Sequence, residues 1–166
     1  MCMNGPEQLG RHIRAARELG FWGPILSTCP IAPNFALMGA GAKMATDIVC
    51  VAPYTEEANV PAEMKYVTKA WEAKYKDEFV SDALMSFDEV WALAQAMEKA
   101  QSLEPEAVMK AMESMNKKGD VKTTFGPGYF GGQKSIGANR ELIRPFAISL
   151  VKDGKISNVK WATPDK

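Results

Sequence analysis

The chain has 166 residues and a mass of 18.2 kDa, which is long enough for one domain with a real hydrophobic core. Hydrophobic residues make up 46% of it and charged residues 24%, a composition typical of globular proteins rather than disordered or fibrous ones. Lysine plus arginine number 20 and so do aspartate plus glutamate, so no net charge attracts nucleic acid or an anionic membrane. Both are therefore disfavoured as partners.

The first half of the chain has the pattern of a parallel sheet with helices. "PEQLGRHIRAAREL" predicts a helix that begins near Pro6 and ends at Gly20, with Leu9, Ile13, Ala16 and Leu19 on the apolar face and Arg11, Arg14 and Arg17 toward water. "PILST" (24–28) predicts a buried strand, "PNFALMGAGAKM" (33–44) a short helix and "TDIVCVAPY" (46–54) a second buried strand. Two strands that are apolar throughout predict a parallel sheet covered on both faces.

Three helices are predicted to follow, at 61–75, 86–102 and 104–115. The second begins with a predicted capping box, Ser86 with Glu89, and places Asp88 in the first turn, where it would stabilise the helix dipole. Pro105 opens the third, whose methionines are expected in the core.

In the final segment, apolar and polar residues alternate as they do in antiparallel strands. "VKTTF" (121–125) predicts a strand, and "RPFAISLVKDGKISNVKW" (144–161) predicts a hairpin around Asp153-Gly154. Residues 126–142 between them, which include the glycine-rich "GPGYFGG", are predicted to form a long loop. The helix run and the hairpin do not continue the parallel sheet, so either two subdomains are present or part of the sheet is missing.

Motifs for chemistry are absent from the sequence. Cys2, Cys29 and Cys50 form no CxxC pair, which excludes a disulfide framework and a zinc site by spacing. The only histidine, His12, is expected at a polar helix position with no nucleophile in the pattern nearby. Catalytic triads, HExxH sites and phosphate-binding loops are not present. We therefore predict no catalytic residue, no metal and no cofactor.

The amino terminus "MCMNGPEQLG" has neither a basic region nor an apolar stretch, so no signal peptide is predicted in this chain. No apolar run reaches the roughly 18–20 residues of a membrane span.

Five motifs in consecutive order resemble those of a known family. They are "GPEQLGRHIRAARELGFWGPILST", "PNFALMGAGAKMATDIVCVAPY", "MKYVTKAWEAKYKDEF", "SFDEVWALAQAMEKAQSLEPEAVMKAM" and "FAISLVKDGKISNVKW". Together they resemble the carboxy-terminal half of the type I periplasmic binding proteins, the leucine/isoleucine/valine-binding class of ABC-transporter substrate receptors. Complete receptors of this class are about twice as long, and Phe87 stands where they usually have tyrosine.

The resemblance implies a fold class and a division of the chain. The fold would be α/β, a partial type I periplasmic-binding-protein fold with a parallel sheet segment, a helix layer and a carboxy-terminal β-hairpin. Residues 1–54 would form a βαβ segment of the second lobe, 55–120 a helical segment of the first lobe after a crossover, and 121–166 the return crossover with the second-lobe hairpin.

The resemblance also places candidate ligand-binding residues. In open α/β sheets, ligands bind outside the carboxyl ends of the strands. Thr28 would donate or accept a hydrogen bond, Phe87 would wall the pocket, and Asn4 would orient an amide or ammonium; the full candidate set is Asn4, Gly5, Ser27, Thr28, Cys29 and Phe87. Structural alternatives stay open: a loop cap for Ser27 and Thr28, and a core position for Cys29 and Phe87.

Two functions are consistent with these patterns. The first is a solute-binding component of an ABC-type importer, not an enzyme, that grips an amino acid, an amide or a carboxylate between two lobes. Its parent protein would be periplasmic or extracellular, with the membrane subunits of the transporter as partners. The second is a truncated half-receptor that binds nothing and forms a homodimer through exposed apolar faces. The lack of an acidic residue near 27–30 weighs against an α-amino group on the ligand.

Overall fold

The structure is a computed structural model, and it describes residues 6–28, 32–52, 59–76 and 82–164. The helices are α1 (Pro6–Glu18), α2 (Ala32–Ala40), α3 (Ala62–Tyr75), α4 (Asp82–Ala100) and α5 (Pro105–Ser114). The strands are β1 (Ile25–Ser27), β2 (Ile48–Cys50), β3 (Val121–Thr123), β4 (Gly126–Gly131), β5 (Glu141–Ile143), β6 (Phe146–Lys152) and β7 (Lys155–Ala162).

The chain divides into two compact units. Of the described residues, unit 1 contains 6–28, 32–52, 59–60, 82 and 146–162, and unit 2 contains 61–76, 83–145 and 163–164. Unit 1 is therefore assembled from segments far apart in sequence, whereas unit 2 is nearly continuous.

Unit 1 is a four-stranded sheet in the order β1-β2-β6-β7, with α1 and α2 packed on it. β1 and β2 are parallel, as predicted, and β2, β6 and β7 pair antiparallel. The helices cover one face, where Ile48, Cys50 and Val151 are buried. The prediction that both faces are covered is wrong for β1, because Leu26 on the opposite face is 44% exposed.

Helix α1 buries Leu9 and Ile13 as predicted, but Arg17 and not Leu19 continues the buried stripe. Leu9, Ile13 and Arg17, spaced four residues apart, are buried, whereas Leu19 is 88% exposed. The prediction that Arg17 faces water is therefore wrong. Its guanidinium is buried because backbone carbonyls surround it: Nη1 donates to Phe21 and Gly23 at 2.8 Å each, Nη2 to Thr46 at 2.7 Å and Nε to Met44 at 3.3 Å.

The two helices of unit 1 meet at glycine. A Cβ atom on Gly10 would lie 2.3 Å from the Cα atom of Gly39, and one on Gly39 would lie 2.6 Å from the Cα atom of Gly10. Only residues without a side chain allow the backbones to approach so closely.

The predicted hairpin is confirmed. Lys152 pairs with Lys155, so the loop has two residues, and both Asp153 (φ 50°) and Gly154 (φ 75°) adopt the left-handed conformation of a type I′ turn.

In unit 2, α3 and α5 match the predicted helices, but α4 begins at Asp82 rather than at Ser86. The predicted capping box is wrong because Ser86 lies inside the helix, where Leu84 in the preceding turn is fully buried and extends the apolar stripe. Asp88 is consequently beyond the first turn, and it is fully buried instead of stabilising the helix dipole from the surface.

The predicted long loop contains two strands. β3, β4 and β5 form an antiparallel sheet in that order, so "GPGYFGG" is mostly strand. Its glycines were misleading because they serve close packing: a Cβ atom on Gly128 would lie 2.9 Å from the Ile143 carbonyl oxygen. One face of this sheet packs on α4 and α5, where Val121 and Phe130 contact a cluster that includes Met115, which confirms a core role for that methionine.

None of the helices among the described residues is long and apolar enough to cross a membrane.

Candidate functional site

The carboxyl ends of β1 and β2 lie side by side in unit 1, and a row of small polar residues crosses the sheet there. Ser27 pairs with Cys50, Cys50 with Ser149, and Ser149 with Asn158, so the four strands each contribute one member. Paired residues share a face of a sheet. All four are buried, with Ser27 at 1% and Asn158 at 8% exposure. We call these four residues the polar row.

The polar row lies on the helix-covered face and not on an open surface. The Asn158 side chain donates to the Asn59 amide oxygen at 3.4 Å, while the buried Ser149 hydroxyl has no hydrogen-bond partner among the described residues. A buried hydroxyl without a partner costs about 1–3 kcal/mol. Hydroxyl, thiol and carboxamide groups in this arrangement are suited to hydrogen bonding.

Thr28 directly follows β1 and differs from Ser27 in its exposure to solvent. It is exposed, whereas Ser27 is buried, as expected for adjacent residues of an extended chain that point to opposite faces. Of these two predicted site residues, only Thr28 is exposed.

Phe87 lies on α4 in unit 2. It is 42% exposed, and its ring contacts that of Trp91 with centroids 5.7 Å apart and a 55° tilt. The alternative that Phe87 is a core residue is therefore wrong. Val90, 70% exposed, and Leu93, 41% exposed, extend an apolar surface along the same helix. Phe87 thus forms part of an exposed apolar surface on α4.

A buried ionic cluster that was not predicted from the sequence begins at Asp88, next to Phe87. Asp88 Oδ1 accepts a 2.7 Å hydrogen bond from the Thr124 backbone N–H, and Oδ2 lies 3.6 Å from Arg144 Nη1. The Arg144 guanidinium stacks on Phe125, with its carbon 3.7 Å from the ring centroid. The cluster ties α4 to the end of β3 and to the segment that precedes β6.

Burial shifts both ionisable groups of this cluster. It raises the pKa of the Asp88 carboxyl above its ordinary value, although the Thr124 N–H and the Arg144 charge oppose the shift. Burial also lowers the pKa of Arg144, and the nearby Asp88 and Glu89 charges oppose that change. The pair is a positioning element for α4 rather than a reacting pair, because the Asp88 side chain is fully buried.

The sequence held a signal for Asp88. Leu84, Asp88, Ala92 and Ala96 are spaced four residues apart and are all buried. A carboxylate at an apolar stripe position predicts a buried ion pair. Its partner Arg144 lies 56 residues away in sequence, and no local pattern identifies it.

The predicted site residues divide into three groups. Ser27 and Thr28 lie together at a strand end of unit 1, and Phe87 lies in unit 2. Asn4, Gly5 and Cys29 fall outside the described residues. Within the part of the chain that the structure describes, no three His, Cys, Asp or Glu side chains form a group that could hold a metal ion.

Comparisons with known proteins agree with this architecture. A family model described as periplasmic binding protein matches residues 1–155. No curated protein matches the chain at a significant level.

Solved structures of ABC-transporter receptors share the fold. LivJ, the branched-chain amino acid transporter substrate-binding protein of Streptococcus pneumoniae, solved with isoleucine, is 18% identical with a TM-score of 0.72, over 97% of this chain and 43% of LivJ. The leucine-binding protein LivK of Thermotoga maritima is 20% identical with a TM-score of 0.71, over 96% of this chain and 43% of LivK. A solute-binding protein of R. palustris, solved with benzoate, is 17% identical with a TM-score of 0.62, over 94% and 40%.

The chain therefore spans less than half the length of the solved proteins that it matches. The fold is that of a fragment of a type I periplasmic binding protein.

Proposed function

The chain belongs to the periplasmic binding protein family, and from this premise we propose that it is a solute-binding part of an ABC-type importer. The match over residues 1–155 is the observation that carries the proposal. Its ligand would be a small polar molecule, its parent protein would be periplasmic or extracellular, and the membrane subunits of a transporter would be its partners. Binding and release, not a chemical reaction, would be its task.

We propose a carboxylate as the ligand's recognition group. The solved relatives hold isoleucine in one case and benzoate in another, and both ligands carry a carboxylate beside an apolar group. Thr28 offers an exposed hydroxyl that can donate to such an oxygen, and Phe87 offers an exposed ring for the apolar part. Ser27, Asn4, Gly5 and Cys29 complete the proposed binding set.

The proposed mechanism is closure of two lobes over the ligand. Residues 1–54 and the final hairpin within 121–166 would belong to one lobe and residues 55–120 to the other. Thr28 and Phe87 would then contact the ligand from different lobes.

Binding can be measured by the thermal unfolding of the whole chain with isoleucine, leucine, benzoate and an aliphatic amide. A ligand at about 100 times its dissociation constant adds roughly 2.7 kcal/mol to the free energy of unfolding. Thr28→Val and Phe87→Ala should abolish the response. Ser157→Ala removes an exposed hydroxyl on β7 and Tyr66→Ala an aromatic ring that is 75% exposed on α3, and these controls should leave it unchanged.

The alternative is a half-receptor that binds no solute and self-associates. The exposed apolar surface of Phe87, Val90 and Leu93 favours this alternative. Two results together would favour this alternative over the binding proposal. The chain would respond to none of the compounds, and light scattering would give a dimer mass that Val90→Glu reduces to a monomer mass.

A further inference from the structure

Unit 2 contains a half-enclosed pocket of about 610 Å³ that is separate from Thr28 and Phe87. It is lined by residues of β4, of β5 and of the loop that joins them, together with Asn116 and Pro164. Small-molecule sites typically have volumes of about 300–1,000 Å³. The pocket is therefore large enough for a small ligand.

The strand register explains the pocket floor. Tyr129 pairs with Ile143 and Gly131 with Glu141, so these four residues share one face of the sheet. Phe130 and its partner Leu142 point the opposite way and pack on the helices. The floor is thus the sheet face opposite the helices, on which Tyr129 is 5% exposed and Ile143 is half-buried.

Gly131 gives this floor its shape. A Cβ atom there would lie 2.8 Å from Ile143 Cγ1 and 3.2 Å from a ring carbon of Tyr129. Without a side chain at this position, an aliphatic and an aromatic side chain close together into one apolar surface. Such a surface suits the apolar part of a ligand.

The walls carry one charge of each sign. Lys134, on the exposed loop, supplies an ammonium group, and Glu141, at the end of the floor, supplies a carboxylate. Glu141 Oε2 accepts a 2.9 Å hydrogen bond from the Ser135 hydroxyl, which fixes the orientation of the carboxylate. A carboxylate has further lone pairs for a second donor. Gln133 and Asn139 add carboxamides to the walls.

We propose that this pocket is a second ligand site, which binds a small zwitterion with an apolar side group. Lys134 binds the ligand's carboxylate, Glu141 binds its ammonium group, and the surface of Tyr129 and Ile143 holds the apolar group. The site depends on unit 2 alone, so it does not rest on the proposed solute cleft.

The test uses the whole chain and three probes with the same phenylethyl skeleton: phenylalanine, 3-phenylpropionate, which lacks the ammonium group, and phenethylamine, which lacks the carboxylate. Titrations followed by backbone amide NMR should show saturable shifts at Gly131, Gly132 and Ser135. Phenylalanine should bind at least about tenfold more tightly than either singly charged probe, which corresponds to one charge-assisted contact.

Single substitutions assign the two charges. Lys134→Met should weaken the binding of phenylalanine and 3-phenylpropionate about tenfold and leave that of phenethylamine unchanged. Glu141→Gln should weaken the binding of phenylalanine and phenethylamine about tenfold and leave that of 3-phenylpropionate unchanged. Lys118→Met and Glu106→Gln remove exposed charges outside the pocket and should change nothing.

Three results would overturn the proposal. The first is the absence of saturable shifts in the pocket at millimolar phenylalanine. The second is equal weakening of all three probes by Lys134→Met. The third is a set of shifts confined to Thr28 and Phe87, which would at the same time support the proposed solute cleft. Loss of the response at Thr28 and Phe87 with the pocket response intact would instead contradict only the proposed function.

Discussion

In unit 1 the two helices touch through the backbones of Gly10 and Gly39, whereas in unit 2 helices α4 and α5 bury alanine, valine and methionine side chains against a sheet. Close backbone contact tolerates no added atom, while methionine-rich packing adapts to its surroundings. The two units therefore differ in how they respond to substitution.

Buried charge follows the same contrast. Arg17 in unit 1 binds four backbone carbonyls, and Asp88 in unit 2 has the side chain of Arg144 as its charged partner. Unit 1 is built from separated segments, such as β2 and β6, which are about a hundred residues apart. The Arg17 contacts join α1 to the residues before β1 and before β2, and main-chain carbonyls accept these hydrogen bonds whatever side chains those residues carry.

The largest expected effect comes from Arg17→Met. The substitution keeps an apolar stem but leaves the carbonyls of Phe21, Gly23 and Thr46 without their donor. A buried acceptor without a partner costs about 1–3 kcal/mol, so we expect the free energy of unfolding of unit 1 to fall by about 4 kcal/mol. Hydrogen exchange followed by mass spectrometry should show that the substitution accelerates exchange in β1 and β2, relative to the wild type, more than in β3 and β4.

Arg14→Met is the matched control, because Arg14 is an exposed arginine on the same helix. It should change stability by less than about 0.5 kcal/mol. Equal effects of the two substitutions would show that the carbonyl contacts of Arg17 do not stabilise unit 1.

Gly39→Ala should have the next largest effect. The new Cβ atom would lie 2.6 Å from Gly10 Cα, so α1 and α2 must move apart. Overpacking of this kind typically costs about 1–3 kcal/mol, and backbone contact places this case near 3 kcal/mol. Urea unfolding measures the loss. Met38→Ala, at a position that is 75% exposed on the same helix, should have little effect, and a neutral Gly39→Ala would contradict the close contact of the helices.

Much of the fold could be predicted from the sequence, because local periodicity reports local structure. The parallel pair β1 and β2, helices α3 and α5, and the Asp153-Gly154 hairpin were all predicted from apolar spacing and turn residues. Strands β4 and β5 were not predicted, because the glycines that permit their close packing have the composition of a loop.

The site was harder to predict than the fold. Thr28 and Phe87 are exposed and available, but the burial of Arg17 and the pairing of Asp88 with Arg144 depend on partners distant in sequence. Spacing along one helix indicates which face is buried, but not which carbonyls or charges that face meets.

The buried carboxyl of unit 2 predicts a dependence on pH. Burial raises the Asp88 pKa in the folded protein, so the folded state binds this proton more readily than the unfolded state, whose ordinary value is about 3.9. The stabilisation is present below that ordinary value and is lost as pH rises through the raised folded pKa. Lowering the pH from neutral towards 4 should therefore favour the wild type over Asp88→Asn, by urea unfolding at each pH.

At neutral pH, Asp88→Asn should cost about 1–2 kcal/mol, because Arg144, whose side chain is 15% exposed, loses its anionic partner. The amide oxygen still accepts the hydrogen bond from the Thr124 N–H, which limits the loss. Glu98→Gln neutralises an exposed acid on the same helix, ten residues from Asp88, and is the matched control. A stability difference between wild type and Asp88→Asn that shrinks on acidification would contradict the raised pKa.

The smallest expected effect is that of Gly154→Ala in the hairpin of unit 1. Gly154 has a φ of 75°, and a Cβ atom there would lie 2.8 Å from the Ala42 Cβ atom. Left-handed backbone costs a non-glycine residue about 1 kcal/mol, and the contact adds to this because Ala42 must move. Asp153→Asn should leave the stability nearly unchanged, because asparagine tolerates the left-handed conformation of this neighbouring position. If both substitutions lower the urea midpoint equally, the turn conformation sets the stability of the hairpin and the contact with Ala42 does not. Unit 1 would then depend less on close backbone approach than its glycines indicate.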